Sequence, residues 1–163
     1  MKDLVVYYSL EGNTEYVVDK IKSTTGADTL CLVPKKAYRD KGVAKFLWGG
    51  MSAVMAKKPE LEDYEVALGE YDRVIFGFPV WASNFTPPLR TFIEENADAL
   101  KGKRFAAFAC QSASGAEKAF GKLAKALGIA EFERTAVFID PKAKASEEKD
   151  AQIAAFCEEL VSQ

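Results

Sequence analysis

Residues 4–14 decide the fold class, and they read Leu-Val-Val-Tyr-Tyr-Ser-Leu-Glu-Gly-Asn-Thr. Residues 4–8 form a nearly continuous apolar run, which is typical of a strand buried on both faces of a sheet. Residues 9–14 are mostly polar, and apolar residues at helical spacing follow them as far as Gly26. The stretch therefore predicts a strand, a loop and a helix in that order.

This alternation continues to the end of the chain. Further strands are predicted at residues 29–33, 73–77, 104–110 and 135–139. Further helices are predicted at residues 87–100, 116–127 and 153–161. Parallel strands need crossover connections, which are usually helices that cover both faces of the sheet. We therefore predict one α/β domain over residues 1–163, a doubly wound three-layer sandwich with a five-stranded parallel sheet of order 2-1-3-4-5.

Composition excludes several classes of function. The chain has 163 residues, a net charge of −2 and no histidine, which removes Ser-His and Cys-His nucleophiles and His-liganded metals. Cys31, Cys110 and Cys157 are too widely spaced for a disulfide framework or a CxxC metal site, and we expect Cys157 in the core. The charge balance gives no case for nucleic acid, and no apolar run is long enough to span a membrane. Without a signal-peptide pattern, a cytoplasmic protein with reduced thiols is expected.

Charge is unevenly distributed between residues 35 and 72. Residues 35–58 carry seven basic side chains against one acidic, and residues 59–72 carry six acidic side chains and no basic one. Such runs are usually solvated faces, and the alternative is a docking surface for a charged partner. Apolar residues between Phe46 and Val54 fit one helix face, and Trp48 lies off that face, where it could cover a ligand.

The loops after the first and third strands are the candidate binding loops. In a sheet of order 2-1-3-4-5, ligands bind beyond the carboxyl ends of these two strands, where the strand order reverses. Residues 9–14 offer two hydroxyls, a carboxamide, a glycine and the free N–H groups of a helix N-terminus, which favour a phosphate. The loop matches neither GxxxxGK[ST] nor GxGxxG, and without lysine it suits a bound, unreacting monophosphate. Ordinary helix capping also explains such residues.

Two further loops carry groups that suit a planar ligand. Residues 77–88 place Trp81 and Phe85 in a segment rich in Pro, Ser and Asn, and an aromatic side chain beside a phosphate loop predicts stacking on a planar ring. The alternative is that Trp81 closes the top of the core. In residues 110–115, Gln111 and backbone N–H groups could bind polar ring edges.

These loops resemble those of the flavodoxin family. Residues 9–14 resemble its S/T-x-T-G-N-T phosphate loop, and residues 77–81 with residues 87–92 resemble its flavin-loop pattern. The resemblance covers essentially the whole chain and implies a flavodoxin-like fold that binds FMN, with the phosphate on the first loop and the isoalloxazine ring between the second and third. The cofactor-binding residues that it implies are Ser9, Leu10, Glu11, Gly12, Asn13, Thr14, Pro79, Val80, Trp81, Ala82, Ser83, Asn84, Phe85, Cys110, Gln111, Ser112 and Gly115.

The chain departs from the family pattern in its first and third loops. Glu11 replaces the usual threonine, and its carboxylate should weaken binding of a dianionic phosphate. We expect only its backbone N–H to serve, and Glu11→Thr to tighten FMN binding. The third loop also lacks the tyrosine that often covers the outer flavin face, so that face stays open unless Trp48 closes over it.

The second loop bears on the redox properties. In the family, a backbone carbonyl of this loop can turn to accept a hydrogen bond from the reduced flavin. Ala82, Ser83 and Asn84 are the candidates here, and asparagine tolerates positive φ best. None of the three loops carries Lys or Arg, so we expect a low potential for full reduction, because a cation-poor pocket disfavours an anionic ring.

The resemblance implies an electron-transfer protein with transient redox-protein donors and acceptors, no metal and no catalytic residue, either a monomer or a weak dimer. The alternative is an FMN-dependent NAD(P)H oxidoreductase acting on quinones or similar small acceptors. An open ring face favours that alternative, and the lack of a second nucleotide-phosphate site counts against it unless residues 35–58 supply one. A response-regulator-like signalling domain is disfavoured, because residues 8–10 lack an acidic cluster and residues 78–79 lack a phospho-acceptor aspartate.

Overall fold

A computed structural model describes residues 1–38 and 58–162. At its centre is a parallel sheet of five strands in the order β2-β1-β3-β4-β5. The strands are β1 (Asp3–Tyr7), β2 (Asp28–Cys31), β3 (Arg73–Pro79), β4 (Arg104–Gln111) and β5 (Arg134–Ile139). The helices are α1 (Asn13–Thr25), α2 (Pro87–Glu95), α3 (Ala97–Leu100), α4 (Ala116–Leu127) and α5 (Glu147–Val161). The predicted strand order and parallel pairing are confirmed.

Side-chain alternation in the strands builds two core layers. Leu4 and Val6 of β1 pack in the cluster that contains the buried faces of α2 and α4. Val5, between them, packs in the cluster that contains the buried faces of α1 and α5. Successive strand residues point to opposite faces, so helices cover both sides of the sheet and complete the predicted three layers. Cys157 is fully buried in the second cluster, as predicted.

Several element boundaries differ from those predicted. β2 covers Asp28–Cys31 and not residues 29–33, and α5 begins at Glu147 and not at residue 153. β3 runs two residues further, to Pro79, because Phe78 continues the buried run. The helix predicted over residues 87–100 is divided into α2 and α3 at Asn96. The Asn96 side-chain Nδ2 donates to the Phe92 carbonyl oxygen at 2.9 Å and to Tyr64 Oη at 2.8 Å. Such a side-chain bond competes with the helical pattern and ends α2. The helix face predicted around Phe46, together with Trp48, lies outside the described residues.

The amino ends of the strands are joined by a buried ion-pair network. Arg73 is 1% exposed, and its guanidinium donates to Asp3 Oδ1 at 3.0 Å, to Asp3 Oδ2 at 2.6 Å and to the Leu160 carbonyl oxygen at 2.7 Å. Arg73 Nη1 lies 3.7 Å from Glu133 Oε2, and Glu133 also pairs with Arg104. At this end of the sheet, buried charge is therefore compensated by opposite charge within the chain.

Candidate functional site

The carboxyl ends of β1, β3, β4 and β5 surround a cleft of about 390 Å³, a size typical of small-molecule sites. Its lining residues are Ser9, Leu10, Glu11, Asn13, Thr14, Pro79, Val80, Trp81, Ala82, Ser83, Cys110, Gln111, Ser112, Ala113, Ser114 and Asp140. The three loops that the sequence singled out therefore meet at one place, and the end of β5 adds a fourth contribution.

The first loop forms an anion cradle at the start of α1. Gly12 precedes the helix with φ of +93°, a left-handed conformation that glycine adopts readily. Ser9 Oγ accepts a hydrogen bond from the Glu15 N–H at 3.2 Å, so this first-turn amide already has a partner within the chain. The other N–H groups of a first helical turn point beyond the helix end. These amides and the positive end of the helix dipole favour an anion.

The buried hydroxyl of Thr14 is the strongest indication that a ligand binds in this cradle. Its side chain is 1% exposed, lines the cleft, and has no hydrogen-bond partner of normal geometry for Oγ1 among the described residues. The Cys110 thiol interacts with it, but sulfur is a weak partner. A buried hydroxyl without a strong partner costs free energy in the empty protein, and a ligand oxygen would satisfy it.

The second loop is a tight turn with two strained residues. The Trp81 N–H donates to the Asn84 carbonyl oxygen at 3.1 Å, and the Asn84 N–H donates to the Trp81 carbonyl oxygen at 3.0 Å. Ala82 and Ser83 between them have φ of +50° and +55°, the pattern of a type I′ turn. Asparagine tolerates positive φ better than alanine or serine, yet Asn84 closes the turn while Ala82 and Ser83 have the positive φ.

Trp81 forms one wall of the cleft and also belongs to an aromatic cluster. Its ring meets Tyr8 edge-on with centroids 5.7 Å apart, and Tyr38 edge-on at 5.3 Å. Trp81 is 8% exposed, and its Nε1 has no hydrogen-bond partner among the described residues. The indole therefore packs on the core and also lines the cleft.

The third loop is fastened to the second loop and to the start of α4. Gln111 Oε1 accepts from the Ala116 N–H at 3.0 Å. Gly115 has φ of +109°, and a Cβ there would lie only 2.8 Å from Ser83 Oγ. The glycine therefore allows the second and third loops to approach each other closely.

Asp140, at the end of β5, is a cleft residue that the sequence analysis missed. It is 7% exposed with φ of +43°. Ser112 Oγ donates to its Oδ1 at 2.7 Å, and Lys144 Nζ lies 3.3 Å from its Oδ2. The Ser112 hydrogen bond, with Lys144, lowers the pKa of this carboxyl group. The rule that ligands bind beyond strand carboxyl ends, applied to the fifth strand, would have found it.

Four predicted site residues do not line the cleft. Gly12 and Gly115 act through the loop conformations described above, and Asn84 closes the second-loop turn. Phe85 is fully buried, packs edge-on against Phe78, and lies under the Arg90 guanidinium. Ala113, Ser114 and Asp140 line the cleft without having been predicted.

Other chemistry of the cleft is limited. Burial raises the pKa of the Cys110 thiol to about 12, so this group stays protonated and unreactive near neutral pH.

Within residues 1–38 and 58–162, no cluster of His, Cys, Asp and Glu could hold a metal ion. The same described ranges contain no helix long and apolar enough to cross a membrane.

A family model described as Flavodoxin matches residues 2–150. The chain belongs to the flavodoxin family. Solved structures with the same fold include a candidate flavoprotein from Bacteroides eggerthii, with 23% identity, 99% of this chain and 98% of that chain covered, and a TM-score of 0.77. A flavoprotein from Lactobacillus acidophilus in complex with FMN has 16% identity, coverage of 95% and 97%, and a TM-score of 0.72.

A third structure from the flavodoxin family broadens the comparison. A Streptococcus flavodoxin matches at 19% identity, with 98% of this chain and 97% of that chain covered and a TM-score of 0.59. At these identities the likeness concerns the fold. It extends over nearly the full length of both chains in each pair, so the flavodoxin-like architecture predicted from the loops is confirmed.

Proposed function

We propose that this protein binds FMN in the cleft and carries electrons between redox proteins. The observation that carries the proposal is a single cleft that joins an anion cradle, with the buried Thr14 hydroxyl left without a normal hydrogen bond, to an aromatic wall at Trp81. A phosphate and a flat ring on one ligand match these two features. The Lactobacillus acidophilus relative in fold was crystallised with FMN.

The residues of this chain fit such a ligand. The backbone N–H groups at the start of α1 and the Thr14 hydroxyl would hold the phosphate. Trp81, on the second loop, would lie against the ring, and Gln111 and Ser112 would face it from the third loop. FMN, when bound, supplies the redox chemistry, because its ring takes up and releases electrons. The chain positions the ring and excludes water from it.

The charge of the lining supports a low potential. Among the described residues, the cleft lining contains two acids, Glu11 and Asp140, and no Lys or Arg. Because these described lining residues offer no cation, they do not stabilise the anionic, fully reduced ring. A protein with these properties suits delivery of electrons at low potential.

Partner docking is proposed on the acidic segment before β3. Glu62, Asp63 and Glu65 are exposed there, and a patch of one sign steers an oppositely charged partner towards transient contact. The three cysteines are free, which agrees with a reducing, cytoplasmic setting.

We propose that the protein acts as a monomer or weak dimer when it carries electrons.

Direct reaction with NADH or NADPH is the second candidate function. It is favoured by the third loop, where the exposed small residues Ala113 and Ser114 border the cleft. An aromatic side chain at this point would cover the ring, whereas small residues leave room for a second planar ligand.

The test is a visible spectrum of the FMN-loaded protein under anaerobic conditions, followed after adding NADH or NADPH and then dithionite. The carrier proposal predicts that the flavin band persists with NAD(P)H and is lost with dithionite. Rapid bleaching by NAD(P)H would support the oxidoreductase instead. Failure to load FMN would overturn both.

A further inference from the structure

The side chain of Lys142, in the segment after β5, lies beside Gly12 of the anion cradle. The residue is exposed and is not among those that line the cleft. A Cβ placed on Gly12 would be 2.8 Å from Lys142 Nζ and 3.3 Å from its Cδ. The lysine is 130 positions away from Gly12 along the chain, so no motif in the first loop reveals it. Its ammonium group adds positive charge to a cradle whose own residues carry none.

The position of Lys142 is fixed by backbone contacts. Its N–H donates to Asn13 Oδ1 at 2.9 Å, and the Ala143 N–H donates to the same oxygen at 3.1 Å. Asp140 turns the chain through its left-handed conformation, and its carbonyl oxygen accepts from the Lys144 N–H at 2.8 Å. The first helical residue of α1 therefore holds the segment that carries the lysine.

A second observation indicates that an anion binds at this end of the cleft. Thr14 Oγ1, in the same first turn as Asn13, is buried without a normal hydrogen-bond partner in the described chain and lines the cleft. A phosphate oxygen satisfies such a hydroxyl, while its remaining negative charge calls for a cation nearby.

We propose that Lys142 is a phosphate-binding residue, whose ammonium group pairs with the phosphate of FMN from a fourth loop outside the three that surround the ligand. This inference rests on the proposed binding of FMN. It also accounts for the tolerance of Glu11 in the cradle, because a lysine close to Gly12 offsets the neighbouring carboxylate.

The experiment compares FMN with riboflavin, which lacks the phosphate. Apoprotein is titrated with each flavin at low and high salt, for the wild type and for Lys142→Gln, Lys142→Arg and Lys125→Gln. Lys125, in the last turn of α4, is exposed and controls for the loss of one positive charge. We expect Lys142→Gln to weaken FMN binding about fivefold to tenfold.

Riboflavin binding should not change in Lys142→Gln, and the salt dependence of FMN binding should become shallower. Lys142→Arg should keep most of the FMN affinity, and Lys125→Gln should match the wild type for both flavins. Equal losses for FMN and riboflavin, or no loss for either, would overturn the role of Lys142 while leaving FMN binding intact. If the wild type binds neither flavin, the proposed function itself fails and this inference fails with it.

Discussion

The two ends of the same sheet use their polar residues in opposite ways. At the amino end, the buried guanidinium of Arg73 is bonded to Asp3 and the Leu160 carbonyl and lies beside Glu133. At the carboxyl end, buried polar atoms lack hydrogen-bond partners among the described residues. They are Thr14 Oγ1, Trp81 Nε1, Asn84 Oδ1 and Thr86 Oγ1. Arg73 Nη1 and Glu133 Oε2 at the amino end also make no hydrogen bond, but these two atoms belong to oppositely charged groups and lie 3.7 Å apart.

The backbone shows the same contrast. All the described non-glycine residues with positive φ, namely Ala82, Ser83 and Asp140, lie at the carboxyl end. Each left-handed residue costs about 1–2 kcal/mol, and each unpartnered buried polar group costs about 1–3 kcal/mol. At the amino end, the atoms without a hydrogen bond belong to one ion pair. The carboxyl end holds backbone strain and unpartnered neutral groups that a ligand can relieve.

Arg73→Met should have the largest effect. It should lower the free energy of unfolding and leave FMN affinity unchanged. The substitution leaves Asp3 and Glu133 without their buried partner, and breaking such a pair costs about 3–5 kcal/mol. Urea unfolding of the apoprotein measures the loss. Arg134→Met is the control, because Arg134 is exposed, ion-pairs with Glu159 at 3.6 Å and donates to the Glu133 carbonyl oxygen at 2.7 Å, without a buried ion pair. Equal losses of stability in the two variants would mean that the buried ion pairs of Arg73 do not stabilise the amino end.

Glu11→Thr should tighten FMN binding severalfold. The change removes a carboxylate from the cleft lining next to the anion cradle, and it supplies a hydroxyl that can donate to a phosphate. Isothermal titration calorimetry with FMN checks this, and Glu117→Thr in the first turn of α4 removes an acid outside the cleft lining. Unchanged or weaker binding in Glu11→Thr would mean that the carboxylate does not oppose the ligand.

Ala82→Gly should stabilise the apoprotein by about 0.5–1 kcal/mol. Glycine relieves the left-handed strain at φ of +50°, although it also adds freedom to the unfolded chain. Ala113→Gly in the third loop is the matched control, because Ala113 is also exposed and is not among the residues with positive φ. It should destabilise slightly. A loss of stability in both variants would show that the turn is not strained.

Asp140→Asn should have the smallest effect, confined to acid conditions. The lowered pKa of Asp140 means that its carboxylate stabilises the fold above its ordinary pKa near 3.8, and that this contribution is lost as pH falls through the lower folded value. Urea midpoints measured from pH 6 to pH 2.5 should therefore fall less steeply in Asp140→Asn. Asparagine keeps the left-handed backbone accessible. Asp98→Asn, at a surface pair with Lys101, should follow the wild type.

The fold could be predicted from the sequence because each strand and helix has its own local pattern. Thr14 and Trp81 were also within reach, since they follow strands whose carboxyl ends meet at one edge. The side-by-side approach of Lys142 and Gly12 was not, because it depends on how β5 and α1 pack and no local pattern encodes it. The positive φ of Ala82 and Ser83, and not of Asn84, could not be predicted, since intrinsic tolerance of positive φ does not tell which residues a two-residue turn will use.

Thr14→Val provides the most direct test of the central claim, that the carboxyl end gives up stability in order to bind FMN. Valine has nearly the same shape and removes the buried hydroxyl that lacks a normal partner. Apoprotein stability is measured by urea unfolding, and FMN affinity is measured by titration. The account predicts that the variant is more stable by about 1 kcal/mol and binds FMN about tenfold more weakly. A variant that is less stable and binds FMN as the wild type does would contradict it.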